Sequence, residues 1–167
     1  KNVMERIKKN DPVAMTYIGK KNQQKGDFGK ALEYYTKAAE LGGANAHCLL
    51  GGLYCEGGGV EKDMKKAVYH WEQAAIGGHP GARGVLADYE KNNGRFDRAA
   101  KHFIIAANLG CDISVNWMKD LFVQGIISKE EYAATLRGHQ AALDGTKSPE
   151  RETADFLMAN GYFRRVD

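Results

Sequence analysis

The stretch Leu50-Gly51-Gly52-Leu53-Tyr54-Cys55-Glu56-Gly57-Gly58-Gly59-Val60, carried on through Asp63, Lys66-Ala67 and Trp71 to Ala74-Ala75-Ile76-Gly77-Gly78, decides how the chain is read. Apolar residues at helical spacing stop at three glycines, then resume as a second stripe that closes on two alanines and a glycine. That is a helix, a turn and a second helix in about thirty residues. The closing string, Ala-Ala-x-x-Gly, occurs four times, beginning at Ala38, Ala74, Ala106 and Ala141, so successive copies start 36, 32 and 35 residues apart. Seven residues before each copy stands another alanine, at Ala31, Ala67, Ala99 and Ala134.

Further matches extend the register. Small residues recur at Ala14, Ala46, Ala82 and Ser114, each followed four positions on by Ile18, Leu50, Leu86 or Met118. Ala31, Tyr34, Tyr35, Ala38 and Ala39 fall at i, i+3, i+4, i+7 and i+8, one stripe of an amphipathic helix. The first helices carry their own stripes, Ala14, Tyr17 and Ile18 in one, Ala46, Leu49, Leu50 and Leu53 in the next, Leu86 and Tyr89 in the third. A fixed period of this length marks a stack of helix pairs, in which neighbours bury what one pair cannot bury alone. Small residues allow close approach, while Tyr35, Trp71 and Phe103, all in one register, supply bulk between layers.

Local signals place the helix ends. Pro12 and Pro80 suit a first helical turn, and Ser128 with Glu131 has the spacing of a capping box. Gly42, Gly78, Gly110 and Gly145 suit the left-handed residue after a helix. The turn within the second pair is longer by four residues, since Leu50 to Ala67 spans 17 positions where Ile18 to Ala31 and Leu86 to Ala99 span 13. The fourth pair is degenerate, with Lys119 in the place of Gly19 and Gly51 and Gly138 in the aromatic position. Ser148-Pro149-Glu150 is expected to open a last helix carrying Phe156, Leu157 and Tyr162.

The expected architecture is therefore all-α, a right-handed solenoid of antiparallel helix pairs. A lead-in covers 1–10, four pairs cover about 11–43, 44–78, 79–110 and 111–145, and a capping helix covers 146–167. Leu50-Gly51, Tyr54, Gly57, Gly59-Val60, Asp63, Lys66-Ala67 and Ala74-Ala75 resemble a Sel-1-like repeat, a relative of the tetratricopeptide repeat with a longer inner turn. The other units resemble it in part, and the likeness runs from about Pro12 to Gly145. It implies an adaptor or scaffold in protein complexes, a family in which some members are joined to zinc-binding RING or MYND modules. A secreted bacterial branch carries a cysteine pair in each repeat; here Cys48 and Cys55 share one helix and the other units hold no such pair.

Composition narrows the function. A net charge of +3, with 27% charged residues of both signs, offers no large basic footprint for nucleic acid. No 18-residue apolar run is present, so direct membrane insertion is not expected. Three cysteines without framework spacing point to a reducing, intracellular compartment. The chain opens on Lys1 and is expected to be a piece of something longer.

Chemistry-bearing motifs are few. Gly57-Gly58-Gly59 lacks the strand and the Lys-Ser/Thr of a phosphate loop and reads as the turn the repeat needs. His70 and His102 share a register position on neighbouring pairs, about 10 Å apart by ordinary helix packing and too far to share a metal. His47 and Cys48 point to different sides of their helix, so no metal, cofactor or catalytic set is assigned and no enzyme is expected. Cys111 reads as a small packing residue. In related repeats the first helices line a concave groove, which would present Thr16, Lys20, Gln23, Asn45, Cys48, Asp88, Lys91, Asn116 and Asp120 to a peptide or partner helix. Changing Lys20, Asp88 and Lys91 together is expected to remove binding with little loss of stability. The alternative is a subunit built permanently into a large protein assembly.

Overall fold

A computed structural model describes residues 3–145, and among these every regular element is an α-helix. In chain order they are α1 (Val3–Lys8), α2 (Pro12–Gln24), α3 (Phe28–Glu40), α4 (Ala44–Glu56), α5 (Met64–Ile76), α6 (Pro80–Asn92), α7 (Phe96–Asn108), α8 (Asp112–Val123) and α9 (Lys129–Leu143). The expected capping helix at 146–167 lies outside the described residues. The helices gather into two compact units that meet in sequence between Gly77 and Gly78. In the first, α2 pairs with α3 and α4 with α5, and α3 also packs on α4. In the second, α6 pairs with α7, and α7 packs on both α8 and α9. The fold is of the helix-pair solenoid type.

Helix starts follow from their flanking residues. Asp11, Asp27 and Asp63 each precede a helix and accept hydrogen bonds from backbone N–H groups of its first turn, filling donors the helix leaves without partners. Pro12 and Pro80 occupy first turns. Before Pro80, the buried His79 takes the capping part, its Nδ1 accepting from the Ala82 N–H at 3.1 Å. The Ser128 hydroxyl accepts from the Glu131 N–H at 3.1 Å while the Glu131 carboxylate accepts from the Ser128 N–H at 2.8 Å, closing the box. Gly42, Gly78 and Gly110 have positive φ, as a left-handed helix stop requires. Gly145 does not; α9 stops on Asp144 in right-handed geometry. The α4–α5 turn, residues 57–63, is four longer than those at 25–27 and 93–95, and it folds so that Gly59 lies against Phe28.

The core is built on one repeated contact. Tyr35, Trp71 and Phe103 are buried, each such ring contributing about 1.5–3 kcal/mol through burial. A Cβ added to Gly19 would collide with the Tyr35 ring, and one added to Gly51 with the Trp71 indole. In the third pair the same position is Ala87 and the ring is the smaller Phe103, both in the second unit's core with Met118, Leu121 and Ile127. Trp117 stacks on Phe103 at 5.9 Å between centroids.

The fourth pair keeps the pattern only in its first helix. Ser114 and Met118 are buried, in register with the earlier pairs. In α9 the register slips, for Ala134 is exposed and Thr135 is buried, and Ala141 is exposed. The cause is visible at Gly138, which offers no ring and lies against the Asn108 carboxamide. Phe122 and Tyr132 instead hold α8 to α9, stacked at 5.3 Å with ring planes within 9°.

Candidate partner-binding surface

The nine residues expected to face a groove separate into three groups. Thr16 and Cys48 are corrected outright: they are 4% and 0% exposed. The Thr16 hydroxyl donates to the Pro12 carbonyl at 2.7 Å. They hold the same position in α2 and α4, and Gly84 in α6 is buried there too. A first helix enclosed by its neighbours buries a wider arc than a simple amphipathic stripe, so a polar residue beside the stripe is no guide to exposure.

A second group is engaged inside the fold. The Gln23 side-chain oxygen accepts from the Tyr35 hydroxyl at 2.8 Å, tying α2 to the buried ring. Asn45 is half-buried. Asp88 and Lys91 pair at 3.0 Å with both side chains largely covered, and the Lys91 ammonium lies 3.2 Å from the centre of the Trp117 ring. Lys91 therefore fastens α6 to α8. The expectation that Lys91 can be changed without loss of stability is corrected on this geometry. Nearby, the buried Glu90 carboxylate pairs with Arg95 and, at 3.7 Å, with Arg98.

The third group is accessible. Lys20 is half-buried on α2, and Asn116 and Asp120 are exposed on α8. The first helix also presents residues that sequence reasoning did not select. Val13 is 47% and Tyr17 49% exposed, one turn apart on α2, and the Lys21 ammonium lies 5.6 Å from the Tyr17 ring centre. Tyr17 was expected in an apolar stripe. Its counterpart Leu49 in α4 is buried at 2% exposure, so the same position is core in one helix and surface in the other. The i, i+4 pairing of Tyr17 with Lys21 was the available signal.

The Cys55 and Cys111 thiols are poor nucleophiles. Cys48, Cys55 and Cys111 are reduced thiols; burial pushes the Cys111 thiol up, opposed by hydrogen bonds from Ser114 and Ile113, and pushes the Cys55 thiol up as well. An upward shift leaves less thiolate. Among the described residues no helix is long and apolar enough to cross a membrane, and no three His, Cys, Asp or Glu side chains are grouped to hold a metal.

Residues 12–43, 44–79 and 80–111 match the family model described as Sel1 repeat. Over 57 residues the chain is 42% identical to HcpC of Helicobacter pylori, a protein provisionally named a beta-lactamase; the match covers 34% of this chain and 19% of HcpC. The fold resembles that of c5321, a protective antigen present in uropathogenic Escherichia coli strains and displaying an SLR fold, with a TM-score of 0.67 at 24% identity, over 95% of this chain and 36% of that one. It also resembles a Sel1 repeat protein from Oxalobacter formigenes, with a TM-score of 0.62 at 26% identity, over 85% of this chain and 60% of the other. The chain thus spans less than two thirds of each of these relatives.

Proposed function

The chain belongs to the Sel1 repeat family, and from that membership we propose that it is an adaptor module whose first helices take up a peptide or a helix of a partner protein. Sel1 repeats generally mediate protein–protein interaction, and their fold is generally non-enzymatic. The observation that carries the finer reading is the face of α2, where Val13 and Tyr17 stand half-exposed beside Lys21. An aromatic ring with a polar tip and a cation alongside is the kind of group that anchors an interface at small entropic cost. In the second unit, α8 separately leaves Asn116 and Asp120 exposed. Exchange of Tyr17 and Lys21 together is the test. Loss of bound partner with unchanged helix content supports the reading; full retention by the variant contradicts it.

A second reading, a subunit built permanently into a larger assembly, is favoured by one specific feature. Ile76 and Val123 are each 76% exposed, and an interface covering either side chain would remove that apolar area from water. Under this reading the isolated chain self-associates, and Ile76→Ser with Val123→Ser makes it monodisperse. A monodisperse wild-type chain argues against permanent assembly.

A further inference from the structure

The positive charge of the chain is concentrated at one end. Residues 1–25 hold seven Lys and Arg against two Asp and Glu, a net +5 in a chain whose total is +3. On α2 this charge has a definite place. Val13, Tyr17, Lys21 and Lys25 follow one another at i+4 and form one ladder on the helix surface, Lys25 keeping right-handed geometry as the C-cap. At about 1.5 Å per residue the ladder is about 18 Å long. Its first half is apolar, with Val13 and Tyr17 half-exposed. Its second half is basic, with Lys21 and Lys25 exposed and Lys20 half-buried beside them.

The fold does not use these charges. No Asp or Glu lies between Asp11 and Asp27, and both of those are engaged. Asp11 caps α2 and pairs with Arg6, while Asp27 caps α3 and pairs with Lys30. Among the described residues neither Lys21 nor Lys25 is matched to a carboxylate. The repeat does not ask for them either, since the positions of Lys20 and Lys21 are Gly52 and Leu53 in α4 and Asp88 and Tyr89 in α6.

Resting on the reading of this face as the partner-binding one, we propose that its occupant is an acidic segment of another protein. A bulky apolar side chain of that segment packs on Val13 and Tyr17, and its Asp or Glu carboxylates run along Lys20, Lys21 and Lys25. An extended chain advances about 3.3 Å per residue, so about five or six residues cover the ladder. Lysine ammoniums are point charges on flexible stems, without the planar fork by which arginine grips one phosphate or carboxylate. Spaced carboxylates suit them better than a single doubly charged group. Nucleic acid fits less well, because phosphate-backbone binding draws on numerous cationic contacts along a strand and half of this ladder is apolar. The charges lie at the surface, so salt governs the complex. The screening length falls from about 10 Å at 0.1 M to about 3 Å at 1 M, and affinity falls with it.

Selection of a random linear-peptide library on the full chain tests the occupant without presupposing its sequence. The expected pool is rich in Asp and Glu and carries a bulky apolar residue. One enriched peptide, labelled with fluorescein, is then measured by polarisation. Its binding is expected to weaken about tenfold when its acids become amides, and about fivefold in Lys21→Gln/Lys25→Gln or on raising NaCl from about 0.1 to about 1 M. Lys101→Gln/Lys129→Gln, which removes the same charge from the second unit, is expected to leave the affinity unchanged. A pool without excess Asp and Glu, lost with Tyr17→Ala yet indifferent to Lys21→Gln/Lys25→Gln, overturns the acidic occupant and leaves the partner-binding face standing. A pool indifferent to both changes, or no enriched pool, overturns the two together. A short single-stranded oligonucleotide bound more tightly than the peptide overturns the assignment to a protein segment.

Discussion

Gly51 stands against the Trp71 indole with no room for a methyl group between them. Alanine is the better helix former by about 1 kcal/mol, so propensity alone would make Gly51→Ala stabilising. The buried indole has nowhere to move, and overpacking of this kind costs about 1–3 kcal/mol. Gly51→Ala is expected to lower stability in chemical denaturation. Adding Trp71→Phe reproduces the Ala87–Phe103 pairing of the second unit, and the double variant is expected to be more stable than the sum of the single losses allows. Strict additivity would show that the two residues do not compete for space.

The Lys91 ammonium, clasped by Asp88 and the Trp117 ring, predicts a structural penalty for its removal. Cation–π contacts at partly desolvated sites contribute about 0.5–2 kcal/mol. Lys91→Ala is expected to destabilise the chain by about 1 kcal/mol and to change the fluorescence of Trp117. Unchanged stability and fluorescence would return Lys91 to the pool of free surface residues.

The Ser128–Glu131 box at the start of α9 predicts a loss of about 1 kcal/mol for Ser128→Ala. The Ser128 backbone N–H, followed by its hydroxyl, holds the Glu131 carboxyl below its ordinary range. Glu131 is thus expected to titrate closer to an ordinary glutamate in the variant, read by carboxyl NMR. A titration indistinguishable from wild type would remove the hydroxyl from the account.

His70 gives the pH dependence of stability its sign. Burial, then the neighbouring His47 and Lys66, bring it to about 4 from an ordinary 6.5. Between those values the unfolded chain binds a proton that the folded chain refuses, so the contribution is full above pH 6.5 and is lost as pH falls toward 4. Asp11 and Asp27, held low chiefly by Arg6 and Lys30, lose their contributions only below the ordinary carboxylate range. A stability curve flat from pH 8 to 6.5 and declining from there to 4 is expected, with the decline reduced in His70→Phe. A curve flat throughout would contradict it.

The repeat was legible because close packing demands small residues at fixed places. Ala31, Ala67 and Ala99 are each fully buried, and an alanine recurring at one spacing has few other causes. The longer α4–α5 turn and the caps at Pro12, Pro80 and Ser128 were readable for a similar reason, since each depends on neighbours in sequence. Ala134 shows where the pattern misleads, because the string persists in α9 while the ring that fixes its register is replaced by Gly138. The surface was harder to read. Whether Thr16, Cys48 or Tyr17 meets solvent depends on which helix lies beside it, and periodicity within one helix carries no record of that. The 3.0 Å contact between His47 and His70, 23 residues apart in different helices, left no local signal.

The central claim, that the first-helix face around Tyr17 receives a partner protein, is tested most directly by affinity capture from a native extract, comparing wild type with Tyr17→Ala/Lys21→Ala. Thermal unfolding of both baits verifies the fold. The account predicts a small set of proteins retained by wild type and lost by the variant at unchanged unfolding temperature. Recovery of the same proteins by both baits, or of none by either, would contradict it.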